Sequence, residues 1–249
     1  MNTRTTAEPV KHETADPHYE CNVCGGSEFL DIKSRPKVRC ASCNSLERSR
    51  LLQLVLNKEG FIKEGHKVLH IAPEAGVGRN IRAIVGEGYD AIDLRPSIYP
   101  EDLMVRRFDL ITDTEKLLNE TYDVIIHSHV MEHIPCDITS VLWHLHRSLK
   151  PNGVHIFCLP ILPGRYECDF NEITNDDRTK RFGQFDHVRK FGADDLDRNI
   201  GKVFRLNPYD ASKVLNEATS IRYKIPLHVL KGINSNTVFI QDKRSLLLQ

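Results

Sequence analysis

The chain has 249 residues, and its 34 basic and 34 acidic side chains give a formal net charge of zero. A neutral chain has no overall field that would draw it to nucleic acid or to a membrane surface, and no apolar run approaches the ~18 residues of a membrane span. Residues 1–18 are polar, contain two prolines and lack the apolar core of a signal peptide, so they are predicted to be a disordered tail on a cytoplasmic protein.

Four of the seven cysteines lie close together, as two Cys-x2-Cys pairs that fifteen residues separate: Cys21, Cys24, Cys40 and Cys43. This spacing is typical of a structural zinc site in which four thiolates leave no open position for water. Residues 19–45 are therefore predicted to form a zinc ribbon. The alternatives are four unrelated buried thiols or an iron–sulfur cluster. The basic side chains between the pairs, Lys33, Arg35, Lys37 and Arg39, either meet phosphates or form an ordinary solvated surface.

A helix is predicted to follow the ribbon over residues 46–60. Asn44 is expected to cap it, with Glu47 at the capping-box position, and Gly60 ends it. Its apolar side is expected to clamp the ribbon to the main domain, which is predicted to span residues 61–249.

The stretch from Lys67 to Arg95 reads as a strand, a turn with glycine, a helix and a second strand that ends in an acid: KVLHIA, PEAGVG, RNIRAIVGEG and YDAIDL. This is the sequence form of a βαβ unit that holds a nucleotide-like cofactor. Asp93 lies at about the ~20-residue distance at which a carboxylate can accept both ribose hydroxyls.

The same alternation continues to residue 158. VRRFDL is predicted to be a third strand ending at Asp109, TEKLLNE a helical turn, YDVIIHSHV a fourth strand, ITSVLWHLHRSL a helix ending in a turn at 150–153, and GVHIFCL a fifth strand. Strands that alternate with helices predict an α/β fold, a Rossmann-like doubly wound and mostly parallel sheet with ligands at the carboxyl ends of the strands.

Several of these segments carry a family resemblance. VLHIAPEAGVG, the acid after the next strand, FDL, YDVIIHSHVMEHI and LKPNGVHIFCLP resemble successive motifs of the class I S-adenosylmethionine-dependent methyltransferases, over roughly residues 65 to 165. EHI and LKPNG resemble the branch with many small-molecule methyltransferases. RFGQFDHVRKFG and CNSLERSRLL are similar to a narrower bacterial subgroup with a zinc ribbon. In this fold the late segments KVFRLN and TVFIQDK would be two strands at the antiparallel edge.

The resemblance implies S-adenosylmethionine as the cofactor. Asp93 would hold the ribose hydroxyls, Asp109 and Leu110 would flank the adenine, and the turn after His70 would approach the methionine part. The full predicted cofactor set is His70, Ala72, Glu74, Gly76, Asp93, Leu94, Asp109, Leu110, His127 and Ser128.

The chain departs from the family pattern in the glycine turn, where Gly76 is the one glycine that remains of three. Glu74 is predicted to face the ammonium group of the cofactor, the alternative being that it points to solvent. A dehydrogenase is disfavoured, because a dinucleotide pyrophosphate needs the full glycine turn.

For a hydroxyl acceptor the protein must remove a proton, and a histidine suits that role. The predicted catalytic residues are His187, His133 and Asp186, with Asp186 orienting the His187 ring, and His129 and Arg189 are predicted to bind the acceptor. His133 could equally serve capping or packing. Residues 164–192 are expected to form the acceptor lid, by family analogy. A divalent metal held by Glu132 or His133 with Asp186 or His187 is a further possibility.

Three functions follow from these observations. The first is methylation of a small hydroxylated acceptor, such as a sugar or a nucleotide-linked sugar. The second is an RNA methyltransferase that reads its substrate with the ribbon, which the zero net charge and the lack of interleaved aromatic residues disfavour. The third is a binding or scaffolding protein that has kept the fold and lost catalysis.

Overall fold

The computed structural model describes residues 18–33 and 35–248, so the predicted disordered tail lies outside the described residues, except for His18. The helices and strands in chain order are β1 (Phe29–Ile32), β2 (Arg35–Cys40), α1 (Glu47–Glu59), β3 (Val68–Ile71), α2 (Ala75–Val85), β4 (Tyr89–Asp93), β5 (Arg106–Arg107), β6 (Tyr122–Ser128), α3 (Ile138–Arg147), β7 (Leu149–Cys158), β8 (Ile161–Leu162), β9 (Glu167–Cys168), α4 (Asn175–Phe182), β10 (Arg189–Gly192), α5 (Ile200–Val203), α6 (Glu217–Tyr223) and β11 (Phe239–Asp242).

Six strands form the central sheet, in the order β11-β7-β6-β3-β4-β5. All neighbouring pairs are parallel except β11 with β7, which is antiparallel. The predicted doubly wound, mostly parallel sheet with an antiparallel edge strand is confirmed. Because β3 and β6 are adjacent in the middle of the sheet, Ile71 pairs with His127, and the carboxyl ends of both strands open on the same edge. Ligands bind at this edge in such sheets.

Alternate residues of the central strands supply the two faces of the sheet, as the two-residue period of a strand requires. Leu69 and Ile125 belong to the buried cluster that contains α3, whereas Val68, Val124 and Ile126 belong to a second cluster on the other face. That second cluster also includes apolar side chains of the cysteine module and α1, among them Cys21, Val23, Phe29, Leu51 and Val55. The cysteine module therefore shares a hydrophobic core with the sheet.

Two smaller sheets flank the central one. β1 and β2 pair as an antiparallel hairpin between the two cysteine pairs. β8, β10 and β9 form a three-stranded sheet with β10 in the middle. This sheet and α4 lie within the segment after β7 where the acceptor lid was predicted. Among the helices of the described residues, none is long and apolar enough to cross a membrane.

The predicted cap of the first helix is wrong. The helix begins after Leu46, and no side chain caps it. Asn44 instead has a left-handed backbone, φ 59°, and its N–H donates to the Cys40 carbonyl at 3.0 Å. Asn44 thus closes the turn around the second cysteine pair, where asparagine tolerates a positive φ, and Glu47 pairs with Arg35 instead of completing a capping box.

Three other boundaries differ from the sequence pattern. β5 is only two residues long. It is the edge strand of the sheet and pairs with β4 at two positions. The expected turn at 150–153 is part of β7, where the pairing with β6 has a register irregularity. The two late strands reduce to one, β11. Phe204 and Pro208 make only isolated bridges, to Leu246 and Phe239.

Candidate functional site

The four cysteines of the predicted zinc ribbon converge. Their sulfur atoms all lie within 4.8 Å of one another, and the Cys21–Cys43 and Cys24–Cys40 sulfur pairs are 3.6 Å apart. A tetrahedral zinc site with Zn–S bonds of ~2.3 Å places its sulfurs ~3.8 Å apart. Four thiols at this spacing, with no disulfide among them, fit a zinc ion and leave no open position for catalysis.

The cysteine module is anchored to the rest of the chain by Arg50 of α1, which is fully buried. Its guanidinium donates four hydrogen bonds of 2.7–2.9 Å, to the carbonyl oxygens of Val38, Ser45, Tyr223 and Lys224. A guanidinium is the side chain that can satisfy this many carbonyls from one position. Arg50 therefore links β2 and the second cysteine pair to the end of α6.

Gly76 makes room for the cysteine module. It lies in the first turn of α2, and a Cβ atom there would stand 2.6 Å from Cγ1 of Val23 and 3.4 Å from Cβ of Cys43. The missing side chain lets the cysteine module pack against the start of α2. Gly76 therefore has a packing role, and its cofactor role stays a prediction.

The turn between β3 and α2 keeps the backbone shape of a glycine turn without the glycine. Ala72 has φ 48°, a left-handed conformation that costs an alanine about 1 kcal/mol or more. The Ala72 N–H donates to the Ile92 carbonyl at 2.8 Å, which holds the turn against β4.

Glu74 ends this turn and is held in place from two sides. One carboxylate oxygen lies 3.5 Å from Nε2 of His70, and the other lies 3.5 Å from Oγ of Ser49 in α1. Burial acts to raise the pKa of Glu74, but His70 and Arg48 outweigh it and bring the pKa below its usual value, so the carboxylate is ionised. Oε2, the oxygen that faces His70, is buried and has no hydrogen-bond partner, but the side chain as a whole is 20% exposed. A partly exposed, ionised carboxylate at this turn suits a ligand cation.

His70 itself is fully buried and does not lie at the surface of the cleft. Its Nδ1 lies 3.0 Å from the hydroxyl oxygen of Tyr89, and the ring stands edge-on to the tyrosine ring. Where the family has an acid, this chain has a histidine that positions the nearby Glu74.

At the end of β4, the Asp93 carboxylate accepts hydrogen bonds from the Arg95 N–H at 2.7 Å and from the Tyr99 hydroxyl at 2.8 Å. Each oxygen keeps a further lone pair for a ribose hydroxyl. The next residue, Leu94, is half-exposed. Asp93 pairs with Arg107 of β5, so this segment adjoins residues 108–111.

The residues predicted around the adenine follow β5. The Asp109 carboxylate accepts from the Ile111 N–H at 2.9 Å, so it shapes its own turn, and Leu110 is buried. Ile111 is 45 % exposed and supplies, with Leu94, an exposed apolar pair on the edge where a flat base would lie. The sequence reasoning did not single out Ile111.

The two predicted cofactor residues at the end of β6 differ in their placement. Ser128 is buried, and its hydroxyl has no hydrogen-bond partner among the described residues. His127 is fully buried, and its ring stacks on Phe157 with the centroids 5.3 Å apart. The predicted role of the His127 side chain is therefore wrong, because its alternate position along the strand turns it into the core.

A cavity of about 320 Å³ lies beyond the ends of β6 and β7. Glu74 does not line it, but α1 relates the two, since Arg48 lines the cavity and the next residue, Ser49, contacts Glu74. The volume is in the range of small-molecule pockets. The lining residues are Arg35, Glu47, Arg48, His129, Glu132, His133, Pro160, Leu162, Phe182, Gly183, Gln184, His187, Ser235 and Asn236.

Three histidines of the cavity surround the buried carboxylate of Glu132. The distances from Glu132 Oε1 are 3.6 Å to Nδ1 of His129, 3.8 Å to Nε2 of His133 and 3.9 Å to Nε2 of His187. Burial raises the pKa of Glu132 to about 8 and, with Arg48, lowers the pKa of His129 to about 3. The sequence suggested Glu132 or His133 with Asp186 or His187 as a possible metal site, and the structure brings Glu132, His133 and His187 together with His129.

Two of the predicted catalytic and binding partners are arranged differently from the prediction. Asp186 faces His133, with Oδ2 3.4 Å from Nδ1, whereas the His187 Nδ1 lies 3.0 Å from the Phe182 carbonyl. The proposed Asp186–His187 pair is therefore wrong. Arg189 is buried and donates to the carbonyls of Ile134 and Cys136, so it holds the loop after β6 and does not line the cavity.

Other cavity residues were not predicted. Arg48 comes from α1, and Ser235 and Asn236 come from the loop before β11. For Arg48 a signal was present, because it lies in the CNSLERSRLL segment that carries a resemblance. The loop at 235–236 has no pattern that a sequence alone would single out.

Comparison with known proteins agrees with this geometry. Residues 40–199 match the family model described as a methyltransferase domain. An S-adenosylmethionine-dependent methyltransferase from Mesorhizobium loti has a similar structure, with 13% identity, a TM-score of 0.50 and coverage of 77% of this chain and 96% of that one.

Two further similar structures are a methyltransferase from Archaeoglobus fulgidus (16% identity, 78% and 93% coverage, TM-score 0.44) and 1,6-didemethyltoxoflavin-N1-methyltransferase from Burkholderia thailandensis (15% identity, 78% and 76% coverage, TM-score 0.45). At these identities the likeness shows the fold alone. No curated protein matches the chain.

Proposed function

Because this chain belongs to the methyltransferase domain family, with 160 residues from 40 to 199 matching the family model, we propose that it methylates a small hydroxylated acceptor with S-adenosylmethionine. A sugar or a nucleotide-linked sugar is the class of acceptor that we favour. The observation that carries this proposal is the cavity of about 320 Å³ beyond the ends of β6 and β7, which is lined by three histidines.

The residues at the edge of the sheet fit the cofactor. Asp93 offers carboxylate oxygens to the ribose, the exposed apolar side chains of Leu94 and Ile111 offer contacts to the adenine, and the partly exposed carboxylate of Glu74 offers an anion to the ammonium group. When bound there, S-adenosylmethionine would supply a methyl group activated by the positive charge on its sulfur.

The chain's own contribution is to hold the acceptor and to take its proton. His133 is the most exposed of the three histidines, 33% against 17% for His129 and 8% for His187. The Asp186 carboxylate faces its Nδ1, which leaves Nε2 directed into the cavity. Proton removal by a positioned group of this kind contributes ~10²–10⁴-fold to a rate. Arg48, whose charge is not paired with any acid of the described residues at salt-bridge distance, offers a contact for a phosphate or carboxylate on the acceptor.

We further propose that residues 19–45 bind a structural zinc ion and that α1 links this ribbon to the methyltransferase domain. The four converging sulfurs and the four hydrogen bonds of Arg50 support both statements. The segment 164–192 would then cover the acceptor, since Phe182, Gly183 and Gln184 form one wall of the cavity.

The test is methyl incorporation from labelled S-adenosylmethionine into a cell extract that is then fractionated by size. We expect label in the small-molecule fraction, and loss of ~10²-fold or more of the incorporation rate in His133→Ala. His228→Ala is the matched control, because His228 is exposed and lies outside the cavity. Label that appears only in RNA would overturn the assignment to a small acceptor. Absence of cofactor binding in calorimetry would overturn the enzyme proposal as a whole.

A further inference from the structure

The centre of the acceptor cavity contains a group of electron-pair donors that face one another. Glu132 is fully buried, and neither of its carboxylate oxygens has a hydrogen-bond partner. One carboxylate oxygen and the Nε2 atoms of His133 and His187 all lie within 4.8 Å of one another. A buried carboxylate without a donor is costly, so something must satisfy it when the protein is folded and active.

The hydrogen bonds of the two imidazoles decide which ring nitrogen carries the proton. The Nδ1 of His187 faces the Phe182 carbonyl at 3.0 Å, and the Nδ1 of His133 faces the Asp186 carbonyl at 3.3 Å. A carbonyl only accepts hydrogen bonds, so Nδ1 must donate in both rings. In each neutral ring Nε2 is then an unprotonated nitrogen whose lone pair points toward Glu132.

The same arrangement recurs at a third histidine. His129 has its Nε2 at 3.0 Å from the Ser235 carbonyl, and its Nδ1 faces Glu132 at 3.6 Å. Three rings thus each use one nitrogen on a backbone carbonyl and present the other to a single carboxylate. This pattern is how metal-binding histidines are oriented, since the outer hydrogen bond fixes the ring and its tautomer.

The basic side chains nearby do not neutralise this group. Within the described ranges, Glu132 has no salt bridge to a lysine or an arginine, and its neighbours within 4.0 Å are the three histidines. Arg48 lines the same cavity. Arg189 is engaged by the carbonyls of Ile134 and Cys136. No lysine or arginine of the described residues thus pairs with the Glu132 carboxyl group at salt-bridge distance, and a cation that binds there would take the place of its proton.

We propose that Glu132, His133 and His187 bind a divalent first-row transition-metal ion, with His129 beside it. Two imidazoles and one carboxylate are a donor set that such ions prefer, and they leave coordination positions open. Bonds of ~2.0–2.2 Å place neighbouring ligand atoms ~3 Å apart, so the present 3.8 and 3.9 Å distances need to shorten by less than about 1 Å.

A bound ion would take the Nε2 lone pair of His133, so this histidine would then be a ligand and would not itself take the proton of the acceptor. The ion would instead lower the pKa of an acceptor hydroxyl and fix its position, a role that suits acceptors with two neighbouring oxygens. This second step rests on the proposed function, whereas binding of the ion does not.

The test is a titration of the full chain with Mn²⁺ alone, after the zinc content of the cysteine module has been confirmed by elemental analysis. Free Mn²⁺ is measured by its electron paramagnetic resonance signal. Mn²⁺ is suitable because it prefers nitrogen and oxygen ligands and does not displace zinc from four thiolates. We expect one bound Mn²⁺ per chain, and a loss of ~10-fold or more in affinity in Glu132→Gln and in His187→Ala.

His228→Ala is the control and should bind Mn²⁺ like the unaltered chain. Each variant is also checked by its thermal unfolding curve, and if His187→Ala does not fold, the nearly isosteric Glu132→Gln decides. No Mn²⁺ bound at about 1 mM, a weak affinity, or unchanged affinity in Glu132→Gln, would overturn the proposal.

Cofactor calorimetry run in parallel separates the two proposals. A chain that binds Mn²⁺ and no S-adenosylmethionine defeats the proposed function and supports the metal site, and the reverse result defeats the metal site alone.

Discussion

Replacing Glu74 by glutamine tests whether this carboxylate binds the cofactor. The change removes one negative charge and keeps the size of the side chain. In the structure the carboxylate is ionised, has one unpartnered oxygen and stands at the end of the β3–α2 turn. A hydrogen bond to a charged group contributes ~1.5–3 kcal/mol. At 1.4 kcal/mol for each factor of ten, the dissociation constant of S-adenosylmethionine should rise by about 10- to 150-fold.

Isothermal titration calorimetry measures this effect directly. Glu87→Gln is the matched control, because Glu87 is an exposed acid in the same βαβ unit, between α2 and β4. A thermal unfolding curve of each variant separates binding from stability, since Glu74 also contacts His70 and Ser49. A dissociation constant that changes less than twofold in Glu74→Gln, with a normal unfolding curve, would refute the assignment and leave Glu74 a structural residue.

Three further predictions concern stability. Arg50→Ala should lower the free energy of unfolding in urea by ~3 kcal/mol or more, because four carbonyls lose their donor. Arg222→Ala, which breaks an exposed pair with Glu20, should lower it by less than ~1 kcal/mol. Equal losses of unfolding free energy in the two variants would contradict this reasoning. Ala72→Gly should raise the free energy of unfolding by ~0.5–1 kcal/mol, since glycine adopts φ 48° without strain, and a destabilised variant would show that the alanine methyl group matters more. A strong chelator should release one zinc ion per chain and lower the midpoint of thermal unfolding of the whole protein. The reason is that Cys21 and Cys40 belong to the same buried cluster as Val68 and Val77. Release of zinc with an unchanged midpoint would show that the ribbon is an independent unit.

The sheet is predicted well from the sequence because the pattern that marks each strand or helix lies within that segment alone. Each central strand is an apolar run bounded by turn residues, and the periodicity of α2 and α3 needs no knowledge of the rest of the chain. The end of each strand then places Glu74, Asp93 and Asp109 on one edge of the sheet by topology alone. Prediction fails at boundaries that depend on neighbours, such as the late segment in which Phe204 and Pro208 make only isolated bridges.

The acceptor cavity could not be predicted as a unit. Its walls come from six separate parts of the chain, around residues 35, 47–48, 129–133, 160–162, 182–187 and 235–236. Sequence reasoning paired His187 with its neighbour Asp186, because adjacent residues are the simplest partners to propose. In the structure Asp186 turns toward His133, 53 positions away. Which side chain faces each histidine depends on how the loops fold, and the sequence alone does not show this.

The altered glycine turn, which first suggested lost catalysis, has a physical explanation in the structure. Ala72 retains the left-handed backbone that the turn requires, so the path of the chain is kept without a glycine. Gly76 makes room for Val23 and Cys43, so the absence of a side chain there admits the cysteine module. Two residues earlier stands Glu74, whose carboxylate contacts α1 through Ser49.

The cysteine module and α1 are thus packed against the same turn that carries Glu74, and this arrangement bears on what the module does. A ribbon that reads a nucleic acid must present its basic edge outward. Here Arg35 pairs with Glu47 and lines the acceptor cavity, and Arg50 points inward to four carbonyls. Arg48 and Ser49, which follow the ribbon directly, contribute to the cavity and to the position of Glu74. Lys33 and Lys37 of the basic edge remain exposed. The contacts of Arg35, Arg48 and Ser49 nevertheless support our proposal that the ribbon is a structural support for the site of the methyltransferase domain.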